Sequence, residues 1–136
     1  MREILFRGKL KSNDEWSFGN LNVSLRGTVI ITPDETPIGK YGQVIPETVG
    51  QYTGLTDKNG KKIFEGDIVK QINSYDNLEI IGVVRFSKSS QFVVSHTYTE
   101  KENYYKSGKK KAFAIKTNCE IIGNIHDNPE LLGVNQ

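Results

Sequence analysis

Cysteine is nearly missing from this sequence: Cys119 is the only one in 136 residues. No intramolecular disulfide can form and no thiolate cluster can hold a metal. A small secreted domain stapled by bridges is therefore excluded, and a reducing, cytoplasmic setting is expected. Histidine is almost as scarce, and His96 and His126 form no H-x-x-x-H pair of the kind that gathers metal ligands on one surface. Long apolar runs are absent. No window approaches the ~18 residues of a membrane span, and Met1-Arg2-Glu3-Ile4-Leu5-Phe6-Arg7 places charges where a signal peptide needs an apolar stretch, so neither secretion nor membrane insertion is expected. A bias of charge is missing too: 18 Lys and Arg face 16 Asp and Glu, a net +2 that does not by itself argue for a nucleic-acid footprint. There is no G-x-S-x-G, no phosphate-cradling glycine loop and no cofactor motif. Without repeats or biased segments nothing marks a boundary, and a single domain over residues 1–136 is expected.

What the sequence does have is alternation and turns. The stretch Val44 to Lys70 is the clearest. Asn59-Gly60 between two strand-like runs predicts a hairpin, and the dipeptide suits a type I′ turn with positive φ at both central residues. Glu65-Gly66-Asp67 punctuates the chain before Ile68-Val69-Lys70, where β-branched residues resume. Upstream, Ile4 and Phe6 open a strand, Lys11 to Glu15 is turn material, and Trp16 and Phe18 fall out of phase with Leu21, Val23 and Leu25. A bulge at Gly19-Asn20 would return all five to one buried face, with Trp16 and Phe18 in the core. Thr28-Val29-Ile30-Ile31-Thr32 makes a further strand, and Pro33 to Tyr41 is the most loop-like segment. Pro46 to Val49 reads either as one helical turn or as a tight bend, and Tyr52 anchors an extended run.

Downstream, Leu78 to Phe86 is apolar on nearly both faces, the mark of a central strand, and Phe92 to Tyr98 pairs with it as a hairpin. Thr99 to Lys111 reads as an exposed tip, Ala112 to Lys116 and Cys119 to Ile125 as strands, and Asp127-Asn128-Pro129-Glu130 as the start of a short C-terminal helical turn. The fold class expected is mainly β: a small barrel or two packed antiparallel sheets, with a portion resembling an SH3-like barrel from about residue 64 onward.

Arg2 to Lys9, the segment IPETVGQYTGLTDKNGKKIFEGDIV, Gly82-Val83-Val84 and the closing EIIGNIHDNPELL together resemble the YopX family, small proteins of phages and prophages. The resemblance spans nearly the whole chain in the family's order. It implies a phage-encoded protein of the host cytoplasm and carries over no catalytic residue.

Three constellations bear on function. Tyr104 and Tyr105 lie among Lys106, Lys109, Lys110, Lys111 and Lys116. Rings that stack bases beside charges that neutralise phosphates are what single-strand binding uses, although a solvated tip diluted by Glu100 and Glu102 is the plainer account. Glu47, Glu65 and Asp67 offer carboxylates for hydrolysis, against the simpler role of Asp67 as a turn residue bonding main-chain N–H groups. Cys119 sits in an apolar alternation, where an inert buried thiol is the default. The function expected is a non-catalytic binding module without metal or cofactor, engaging a protein partner or a second copy through an exposed strand edge such as Thr28 to Thr32. The alternatives are nucleic-acid binding by the tip at 104–116 and, behind it, hydrolysis.

Overall fold

The computed structural model describes residues 3–25, 27–32, 40–73, 77–87, 91–97 and 110–132. The chain divides into two compact units, Met1–Gly54 and Leu55–Gln136. In the first, β1 (Phe6–Lys9), β2 (Trp16–Ser24), β3 (Gly27–Thr32), β4 (Lys40–Gln43) and β5 (Gly50–Thr56) pair antiparallel in the order β4-β3-β2-β1-β5. Asp14, at φ 61, and an Asn13 side chain that accepts the Glu15 N–H at 3.0 Å shape the β1–β2 turn, which is the connection that Lys11 to Glu15 suggests. Pro46–Thr48 is a 3-10 helix. The Thr48 hydroxyl donates to the Ile45 carbonyl at 2.6 Å and accepts the Lys9 N–H at 2.8 Å, which fastens this turn to the end of β1.

The first unit corrects several expectations. β2 runs without a bulge: its pairings with β1 and then with β3 advance one residue at a time, and Phe18, Asn20 and Asn22 alternate as exposed residues with the more buried Ser17, Gly19 and Leu21. The two apolar sets therefore lie on opposite faces. Trp16 is only half-buried, Phe18 is 43% exposed and Val23 70% exposed, while the buried apolar side chains among the described residues of this unit are Ile30, Val44 and Tyr52. The Trp16 ring has a partner on β1 instead: the Arg7 guanidinium lies 4.6 Å from its centre. β3 is no free edge. It is flanked by β2 and β4, so its main chain is paired on both sides, and Ile30 is fully buried. Lys40 and Tyr41 belong to β4, not to a loop, and residues 33–39 lie outside the described ones.

In the second unit the hairpin partner β6 (Lys62–Phe64) follows β5 and extends that order by one strand. β7 (Asp67–Ile72), β8 (Glu79–Phe86), β9 (Phe92–Thr97), β10 (Lys110–Ala114) and β11 (Glu120–Asn124) form a second antiparallel sheet in the order β10-β9-β8-β7-β11. β8 is its middle strand. Ile80 and Val84 join a core with Ile63, Val69, Val94 and Cys119, and Val83 on the opposite face is buried as well, so a strand apolar on both sides occupies the position that covers both. A 3-10 helix at Pro129–Leu132 ends the described chain, where the capping pattern places a helical turn. The protein is thus mainly β, built of two antiparallel sheets. Of the two architectures read from the sequence, the barrel is not formed: both strand orders are open among the described residues, with a single bridge from Leu10 to Val44 beyond the end of β1.

The β8–β9 contact sets a strict limit at Gly82. A Cβ built there would stand 2.5 Å from the Ser95 carbonyl oxygen, and a main-chain atom inside a sheet cannot swing aside. Gly82→Ala is expected to cost about 1–3 kcal/mol and to lower the melting temperature correspondingly in a thermal denaturation followed by circular dichroism; an unchanged melt would mean that β8 and β9 are not this close.

Candidate functional site

The densest polar construction in the second unit begins at Asp57, which the sequence reading passed over. Its carboxylate is 5% exposed. Oδ1 accepts the N–H groups of Asn59 and Lys61, both at 2.9 Å, and Oδ2 accepts that of Ile121 at 3.0 Å. The Asp57 carbonyl accepts the Gly60 N–H at 3.0 Å, closing a four-residue turn. Of the turn residues only Gly60 has positive φ, at 84°. The hairpin therefore stands where Asn59-Gly60 puts it, but it is a type I turn closed by a left-handed glycine and not a type I′ turn. The physical reason is the carboxylate: an aspartate at the first position of a type I turn draws the following N–H groups inward, and that fixes Asn59 at negative φ.

The third bond reaches far along the chain. β11 is an end strand of its sheet, and two of its N–H groups are taken by side chains and not by another strand: Ile121 by Asp57, and Asn124 by the Asn128 Oδ1 at 3.3 Å. Between them the pairing with β7 slips at Ile121/Gly123. The Asn124 Oδ1 in turn accepts the N–H groups of His126 at 3.0 Å and Asp127 at 2.9 Å, which folds the chain into the terminal 3-10 helix. The Lys58 N–H donates to the Cys119 carbonyl at 2.9 Å, tying the hairpin to the residue before β11. Side-chain acceptors along an end strand, together with a bulge, keep a foreign strand from adding.

The charges follow from this geometry. Burial pushes the Asp57 carboxyl up, but the N–H groups of Ile121, Lys61 and Asn59, helped by the Lys61 charge, together hold it below the ordinary aspartate value. The Cys119 thiol is pushed up, first by burial and then by the Asp57 charge, which makes it a poor nucleophile.

The residues singled out from the sequence are dispersed. Glu47 is exposed on the 3-10 helix of the first unit. Glu65 is half-buried, and Asp67, 2% exposed, accepts the Phe64 N–H at 2.8 Å, the turn role expected of it. Tyr104, Tyr105, Lys106 and Lys109 lie outside the described residues; Lys110 and Lys111 open β10, and their side chains also lie outside. Lys116 is half-buried and its N–H donates to the buried Gln71 at 3.1 Å, while Gln71 Nε2 donates to the Ala114 carbonyl at 2.9 Å, holding the exit from β10. The His96 side chain is not described, and His126 sits in the turn after β11. Among the described residues no three His, Cys, Asp or Glu are grouped to hold a metal ion. Asp57, Gln71, Asn124 and Asn128 were missed. Asp57, Asn124 and Asn128 all bond main-chain N–H groups within four residues, the local pattern of turn-forming side chains; Gln71 depends on partners far along the chain that sequence spacing does not reveal.

A family model described as YopX protein matches residues 5–133. Among solved structures, the crystal structure of protein EF1440 from Enterococcus faecalis is similar to this chain, with 25% sequence identity and a TM-score of 0.55 over 97% of this chain and 99% of that one. No curated protein matches the chain.

Two measurements probe the hairpin. A Cβ at Gly60 meets nothing within 4 Å, so any penalty there is conformational: Gly60→Val is expected to cost about 1–2 kcal/mol and Gly60→Asn much less, whereas equal losses would contradict the left-handed turn. Asp57→Asn turns one of the two oxygens into a donor facing N–H groups, and is expected to lose about 2–3 kcal/mol at neutral pH. Because the folded Asp57 pKa is depressed, its contribution is complete above the unfolded value of about 3.9 and fades as pH falls through the lower folded value. In urea denaturations the gap between wild type and Asp57→Asn should narrow from pH 7 to pH 3; a constant gap would show that the carboxylate charge plays no part.

Proposed function

We infer that the chain, which belongs to the YopX family, works as a non-catalytic binding module, carried by a phage or prophage and acting in the host cytoplasm. The observation that carries this reading is the use made of the buried acids. Asp57 gives its carboxylate to three main-chain N–H groups and Asp67 gives an oxygen to a fourth. A general acid or base needs an accessible lone pair in reach of a substrate proton, and these two are turned into the protein's own backbone. Glu47 stands exposed on the other unit. The cytoplasmic setting is supported by Cys119, a buried free thiol. Among the described residues no helix is long and apolar enough to cross a membrane.

The part from Phe64 onward, which enters β7 through Gly66-Asp67 and continues through β8 and β9 in antiparallel order, supports an SH3-like reading of that portion. A protein partner or a second copy has to engage a surface other than β3, which is paired on both sides, or β11, whose N–H groups Ile121 and Asn124 are taken. The nucleic-acid reading of residues 104–116 keeps Lys110 and Lys111 on β10, an end strand, where lysines also serve to discourage strand addition.

Chromogenic phosphate-ester, carboxyl-ester and peptide substrates should remain intact on incubation with the purified full chain. Turnover that disappears in Glu65→Gln or Glu47→Gln would overturn the non-catalytic reading.

A further inference from the structure

We propose that Asn59 is a site of spontaneous chemical modification, closing on Gly60 to a succinimide that opens to isoaspartate or aspartate, and that the Asp57 carboxylate holds this reaction back while the turn is intact. The proposal stands apart from the binding-module reading and needs no partner.

Asn59-Gly60 is the only Asn-Gly step in the chain. Asparagine is a thermolabile side chain, and a following glycine, without a Cβ, leaves its main-chain nitrogen unshielded. The surroundings add no shield: a Cβ built at Gly60 meets nothing within 4 Å, and Asn59 is exposed. Among the described residues the Asn59 side-chain amide enters no hydrogen bond, and only the main-chain N–H of that residue is engaged. Elsewhere these conditions fail. Both ends of the Asn118 amide bond the Ile72 main chain at 3.3 Å, and Asn20 and Asn22 stand in β2 before the bulky Leu21 and Val23.

The reaction consumes only water. The Gly60 nitrogen gives up its proton and attacks the Asn59 Cγ; the N–Cγ bond forms, the Cγ–Nδ2 bond breaks, and ammonia leaves with that proton. One water then opens the ring. Attack at Cγ gives aspartate. Attack at the main-chain carbonyl carbon gives isoaspartate, in which the chain runs on through Cβ and Cγ and is one methylene longer. Nothing is oxidised or reduced.

The folded turn opposes the first step. The Gly60 N–H donates to the Asp57 carbonyl at 3.0 Å, so the proton that must leave is held and ring closure has to break this bond. Asp57 Oδ1 takes the N–H groups on either side, those of Asn59 and Lys61, both at 2.9 Å, which fixes the rotation of the peptide between Asn59 and Gly60. Negative charge has to grow on the Gly60 nitrogen as its proton leaves. It would grow beside a carboxylate that is 5% exposed and so little screened by water. Once the turn has opened and reacted, the product no longer fits it. The added methylene of isoaspartate shifts the Lys61 N–H away from the oxygen it shares with the Asn59 N–H, and either product brings a second carboxylate into a turn built around one. The open form is thus modified in one direction, and the chain keeps a covalent mark of having opened.

The full chain is held at mildly alkaline pH, either folded or in concentrated urea. The peptide containing residues 59–60 is then followed by mass spectrometry, with isoaspartate methyltransferase labelling to separate the two products. Reaction in urea is expected to be about tenfold or more faster than in the folded chain, because a turn held by charge-assisted bonds has to open first. Folded Asp57→Ala should react faster than folded wild type and faster than Gly82→Ala, which weakens the same unit at β8 and leaves the turn bonds in place. Chain aged in urea and returned to buffer should contain an isoaspartate fraction that melts below the unmodified fraction. No modification in urea, equal rates in folded and unfolded wild type, equal rates in Asp57→Ala and Gly82→Ala, or an isoaspartate fraction with an unaltered melt each overturns the proposal. The comparison of folded with unfolded wild type needs no variant, and it decides alone should Asp57→Ala fail to fold.

Discussion

A single buried carboxylate organises much of the second unit. Placing an ionised group out of water is costly unless strong hydrogen bonds replace the lost hydration. Asp57 meets that demand with N–H groups from two places, its own turn and a strand 64 residues further along the chain. The turn bonds make the local shape and the Ile121 bond joins that shape to β11. Since β11 pairs with β7, and β7 with β8, the constraint passes from a five-residue loop into the middle of a sheet. Neither end is satisfied without the other, and this reciprocity gives the unit its definition more than the exposed Lys58–Glu120 pair at 3.4 Å, which is worth little in water.

What could be read from the sequence was what is decided locally. Asn59-Gly60 located the hairpin because a glycine that accepts positive φ is a one-residue property. The central place of β8 was legible because burial on both faces writes itself into consecutive residues, and Tyr52 and Val44 were legible as large apolar side chains in extended runs. The turn type was not, because the φ of Asn59 is set by a carboxylate two residues away. The place of Trp16 is hidden for a related reason: apolar parity signals a core position, whereas cations on a neighbouring strand provide an alternative that no spacing within β2 reports. The carboxylates chosen as candidates were those in the most recognisable segment, and recognisability there reflects turn chemistry. The acid with the larger network, Asp57, lay in the same segment and was overlooked because its most distant partner is a main-chain group, whose identity no side chain announces.

The segments that carry the family resemblance acquire a common physical meaning in the second unit. TDKNG makes the hairpin, EGD makes the turn into β7, and GNIHDN makes the turn after β11; most of their side-chain bonds go to backbone groups, and one joins Asn124 to the Asp127 carboxylate. They specify where strands start and stop. Resemblance of this kind is evidence about architecture, and a ligand has to be sought on surfaces outside these motifs, such as an exposed strand face.

The long reach of the Asp57–Ile121 bond also orders events in time. A chain emerging from the ribosome presents the 57–61 turn well before residues 119–124 exist, and in that interval the carboxylate is hydrated and the hairpin has little to hold it. Sequestering the charge must wait until β11 has been made, so a strand made late completes a turn made earlier. A nascent chain that stops short of β11 is left with a hydrated acid at a position built to be dry.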